Sequence, residues 1–106
     1  MLLAGTALAQ DANIVAQWDA PTEGSPVVHY IFQLSTDGGP FVTLSSTIVG
    51  TTFEFTAPYN QTYVARVAGI DDQLRQGPYS LDSDPYTPDM GLPGAPGKPI
   101  VFEGPQ

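Results

Sequence analysis

Cysteine is absent from this 106-residue chain, and with it disulfides and every Cys-based zinc site. Basic residues number three and histidine one, against 11 Asp and Glu, for a net charge of −8. A phosphate backbone needs a Lys/Arg surface that three residues do not supply, so nucleic acid is excluded as a partner. Anionic membrane surfaces are disfavoured on the same ground. With His29 alone and no thiol, a nucleophile–base pair or a transition-metal centre is hard to assemble. No enzyme activity, metal or cofactor is therefore expected. No apolar run is long enough to span a bilayer.

What the chain does contain is turn and strand chemistry. Pro and Gly contribute 11 residues each and only 13% of the chain is charged. Helix formers such as Lys, Arg and Glu are scarce, while Thr, Val, Tyr and Phe are plentiful. Residues 14–18 place Ile14, Ala16 and Trp18 on one face, with Val15 and Gln17 between them. Residues 27–34 alternate next, with Val28, Tyr30, Phe32 and Leu34 inward and His29 on the opposite, exposed face. Residues 36–39 (Thr-Asp-Gly-Gly) form a tight hairpin turn, because Gly tolerates the positive φ that primed turns require. The returning strand covers residues 41–44. After a Ser/Thr-rich connection, residues 51–55 carry Phe53 and Phe55 inward.

Residues 57–60 then turn, and residues 62–68 alternate with Tyr63, Ala65 and Val67 on one side and Val64 and Arg66 on the other. Asp71 opens a polar loop, and Gly77 and Pro78 open a last strand that ends before Pro85 or Pro88. Six short strands at regular spacing, with no helical periodicity, predict an all-β antiparallel sandwich.

The motifs resemble those of the fibronectin type III family from about Ile14 to Thr87. Ile14-x-Ala16-x-Trp18-x-x-Pro21 is similar to the family's second strand with its core tryptophan. Residues 30–39 resemble the third strand and its turn, especially in bacterial members, and residues 58–67 the sixth strand. The resemblance implies an immunoglobulin-like sandwich in which Trp18, Tyr30, Phe32, Tyr63 and Val67 are structural. It implies that Tyr63 is a tyrosine-corner residue, with its hydroxyl on the backbone near Ala57 or Pro58. Ala65 and Gly69 are smaller than usual for the family.

The family's first strand has no counterpart before Ile14. The organisation expected is therefore residues 1–10 as a signal-peptide remnant or N-terminal edge strand, and residues 11–88 as the sandwich. Residues 89–99 read as a Pro/Gly-rich linker and residues 100–106 as a C-terminal strand. Ala7 and Ala9 form an A-x-A cleavage pattern, which points to a secreted, extracellular or cell-surface protein.

Without its first strand, the edge formed by Ile14, Val15, Ala16, Gln17 and Trp18 is open to pairing. The tail supplies a candidate strand in Pro99, Ile100, Val101 and Phe102. It reads three ways: as the stub of a following domain, as a strand that folds back on its own sandwich, or as a donated seventh strand. In the last case Val101 and its flanking residues fill a neighbour's groove, Lys98 and Glu103 stay at the rim, and a homo-oligomer or filament results.

The function expected is a structural or adhesive subunit. The alternative is a spacer or binding module of a larger extracellular protein, carbohydrate-active for example, with another protein or a polysaccharide as partner. Asp71, Asp72, Asp82, Asp84 and Asp89 offer oxygen ligands of the kind Ca²⁺ takes, but with no loop spacing to match they read as surface acids.

Overall fold

The structure, a computed structural model, describes residues 10–90 and 96–104. Five strands follow one another: β1 (Asp11–Gln17), β2 (His29–Thr36), β3 (Val42–Ile48), β4 (Thr52–Pro58) and β5 (Tyr63–Ile70). They form two antiparallel sheets, β1–β4 and β3–β2–β5, stacked as an immunoglobulin-like sandwich. Among the described residues no helix is long and apolar enough to cross a membrane. The expected N-terminal segment lies, but for Gln10, outside the described residues, as do residues 91–95 of the linker.

The core sits where the inward faces meet. Phe32 is only 1% exposed, and its ring lies 4.9 Å from Phe53, 5.4 Å from Phe55 and 6.1 Å from Trp18. Trp18 also meets Tyr30 edge-on at 5.4 Å, which suits the opposed charge of ring face and rim. Tyr30, Leu34, Ile48, Ala57 and Tyr63 complete the buried cluster, with Val67 packed against it. The β2 hairpin turn is of the primed kind: Asp37 and Gly38 have φ of 51° and 77°, and the Gly39 N–H donates to Thr36 O at 2.9 Å.

Three expectations need correction. Val28, expected inward, is 41% exposed, and Val27 packs on the core instead. The cause is local. Val28 N–H donates to Ile70 O although His29 is the residue opposite Ile70, so the alternation slips at the start of β2. Gly69 fits this slip, since a Cβ there would stand 2.6 Å from a Val27 methyl. Second, the Ser/Thr-rich connection after residue 44 is itself strand, irregularly paired with β2, and it delivers Ile48 to the core.

Third, residues 77–86 follow β5 without forming a sixth regular strand. Gly77, Ser80, Ser83 and Tyr86 donate their N–H groups to Gly69, Val67, Ala65 and Tyr63 in turn. The segment advances three residues for every two of β5. Spread over the rise of a strand, this is about 2.2 Å per residue, too compressed for a regular ladder. Ser80 and Ser83 repair the mismatch with their side chains. The N–H groups of Val67 and Ala65 donate to the two hydroxyl oxygens, at 3.1 and 2.8 Å.

The tyrosine corner is present. Tyr63 lies 4% exposed and its hydroxyl donates to Pro58 O at 2.6 Å. Replacing Tyr63 with Phe keeps the ring and removes this bond, so we expect a loss of about 1 kcal/mol. Urea unfolding should show a lower midpoint at unchanged slope, and an unchanged midpoint would contradict a stabilising role for the bond.

Candidate functional site

β1 pairs with β4 on one side only, and no strand among the described residues covers its other side. The backbone groups that face the open side can be identified. Trp18 N–H donates to Thr51 O at 3.0 Å, directly across the ladder, so the even-numbered residues of β1 bond to β4. Pro58, opposite Asp11, agrees with this: it has no N–H to donate, and none is needed at a position that faces away from the ladder. Asn13, Val15 and Gln17 therefore aim their N–H and C=O groups at the open edge.

Side chains alternate in the other sense. Ala12, Ile14 and Ala16 turn inward, while Val15 is 49% exposed. Beside this edge lies a groove of about 270 Å³ between the sheets, lined by Ile14, Ala16, Phe55, Leu34, Tyr63 and Ala65 among others. Ile14, Ala16 and Phe55 are only partly buried, because no strand among the described residues covers this flank of the core. The small side chain of Ala65 adds to the room in the groove. Trp18 is half-buried, and its Nε1–H is buried with no acceptor among the described residues.

The structure thus brings three of the five expected edge residues, Ile14, Val15 and Ala16, together with the core residues Phe32 and Tyr63 in one groove wall, while Gln17 and Trp18 lie outside it. It does not bring the tail to them. Ile100, Val101 and Phe102 stand 83%, 92% and 79% exposed, and Pro99 is exposed beside them. His29, expected on the exposed face, is half-buried at the start of β2.

A second concavity, of about 620 Å³, opens at the end of the sandwich where the β1–β2 loop meets the loop after β5. Asp71 organises it and is no ordinary surface acid, being 6% exposed. Its carboxylate accepts from the N–H groups of Gln73 and Arg75, from Arg75 Nε and from Ser25 Oγ, all at 2.8–2.9 Å. The Arg75 N–H does most to hold its pKa down to about 2. Burial opposes the shift, and the Gln73 N–H, the Ser25 hydroxyl and the Arg75 guanidinium reinforce it. Leu74, at the loop tip with φ of 62°, is 84% exposed. Among the described residues no group of acidic side chains is arranged to hold a metal.

Serines with an acidic partner many residues away leave no local sequence pattern, so the Ser25–Asp71 bond across 46 residues was not legible. A turn motif of an Asp two and four residues before its N–H donors was the available signal.

No family model matches the chain. It is similar to a stretch of protein sidekick-1 from Mus musculus, with 33% identity over 108 residues that include 97% of this chain. The chain spans 5% of the length of that curated relative.

The pH dependence of stability follows from Asp71. Its carboxyl sits at about 2 in the folded chain, below the roughly 3.9 of an unfolded aspartate. The stabilisation is therefore present above pH 4 or so and is lost as pH falls toward 2. Urea midpoints should drop over that window, and Asp71→Asn should drop less. Equal losses in the two proteins would contradict this role for Asp71.

Proposed function

We propose that this chain is a non-catalytic, extracellular β-sandwich unit with a structural or adhesive role, and that its working surface is the open edge of β1. The observation that carries the proposal is the row of outward backbone groups at Asn13, Val15 and Gln17 beside a partly exposed apolar core. An edge of this kind recruits a strand: backbone bonds supply affinity and the groove selects side chains. In its fuller form the proposal makes residues 99–102 the donated strand. A contact that joins the tail of one copy to the edge of the next is heterologous and need not close, so it builds a filament.

A second reading is favoured by the sidekick-1 similarity. A match that takes in 97% of this chain and 5% of a much longer one supports a spacer or binding module within an extended polypeptide. In that setting the partner at the edge is another extracellular protein or a polysaccharide, and the tail is the connection to a following unit.

Light scattering separates the two readings. Self-assembly predicts particles that grow with concentration for the whole chain and a monomer for a chain ending at Asp89. A monomer in both cases, with equal melting temperatures, would contradict self-assembly and leave the spacer reading. A truncated monomer that melts much lower would show the tail completing its own sandwich.

A further inference from the structure

We infer that β1 accepts residues 98–103 of a second copy in one register: antiparallel, with Val101 beside Val15, and with Ile100 and Phe102 turned into the groove. This rests on the strand-accepting reading above and fixes its partner and geometry.

Hydrogen-bond parity sets the frame. The backbone groups of Val15 face the open edge, so a residue placed directly opposite Val15 exchanges both of its bonds with it. Residues directly opposite one another project to the same face of a sheet. Val15 projects away from the core, so its partner does too, and the two neighbours of that partner project inward.

The tail then has two choices of parity. In one, Pro99, Val101 and Glu103 enter the groove; in the other, Lys98, Ile100 and Phe102 do. The first drives a carboxylate into a groove whose lining runs from Ile14, Leu34, Phe55 and Ala65 to the carboxylate of Asp84 and includes no basic side chain. The second places two large apolar side chains there and leaves Glu103 outward. Lys98 falls at the end of the groove beside Trp18 and Asp19, where its long stem can lie on apolar surface and its ammonium reach solvent and a carboxylate. The second parity is therefore preferred, and Val101 faces outward rather than filling the core.

Two further features agree. Pro99 falls at the first paired position, opposite Gln17, where a missing N–H forfeits a single terminal bond. Ile100, Val101 and Phe102 are 79–92% exposed in their own chain, so they are presented to a neighbour and not seated in their own groove. A groove of about 270 Å³ falls below the usual size for a drug-sized ligand and suits a strand's side chains. The three strand pairs among the described residues are antiparallel, which favours the same sense for the added strand.

The absence of cysteine makes a direct test available. Directly opposed residues of an antiparallel pair lie about 5.5 Å apart at Cα, within the span of a disulfide. Full-length Val15→Cys chains mixed with Val101→Cys chains should give mixed dimers on mild oxidation, many-fold more than a mixture with Ile100→Cys chains. Asn13→Cys with Glu103→Cys should behave like the first mixture. Equal yields for the Val101 and Ile100 partners would overturn the register.

A doubly substituted Val15→Cys, Val101→Cys chain should form a ladder of linked species. Closure within one chain at every concentration would instead overturn the second-copy partner. If light scattering still shows tail-dependent assembly when the register fails, strand acceptance survives and only the geometry is wrong. If assembly itself is absent, both fail together.

Discussion

The packing of Phe32 between the two sheets is the contact on which the rest of this molecule depends. From β2 its ring meets Trp18, just past the end of β1, and Phe53 and Phe55 of β4, so the sheets cannot separate without uncovering all of them. Burial of one such side chain is worth about 1.5–3 kcal/mol in transfer terms, with more from the close aromatic contacts. A core centred on one residue must still be enclosed at its flanks, and here the two flanks differ. Along β5 it is closed by a compressed segment held through Ser80 and Ser83. Along β1 it is bounded by a strand whose outer backbone groups lack a partner among the described residues.

That asymmetry links fold to function. This flank leaves Ile14, Ala16 and Phe55 only partly buried and a row of backbone donors and acceptors with no strand partner among the described residues. Both deficits are removed by the same event, the addition of one extended strand with apolar residues at alternate positions. The other end of the sandwich is built differently. The Asp71 network satisfies its own polar groups and braces the loop after β5, so that end is internally complete.

Much of this was legible in the sequence, and the reasons are specific. Tyr30, Phe32 and Leu34 alternate in a strand with one buried face, and the Asp37–Gly38 turn requires the positive φ those residues accept. Ile14, Ala16 and Trp18 announced the open strand in the same way, and Tyr63 its corner. What was not legible depended on contacts between distant residues. Nothing in the Val27–Val28 pair says which of two equal side chains turns inward; the close approach to Gly69 decides it. Ser80 and Ser83 read as ordinary strand residues until β5 is beside them. Ile48 sits behind a polar run, and Asp71 looks like any other acid in a chain rich in them.

The claim that β1 presents a free, strand-accepting edge is tested most directly by amide hydrogen exchange read residue by residue along that strand. In dilute solution the amides of Asn13, Val15 and Gln17 should exchange quickly, while those of Ile14 and Ala16, bonded to β4, are protected. Raising the concentration should slow the first set and leave the second unchanged. Protection of both sets at every dilution would mean that the chain already covers its own edge, and would contradict the account.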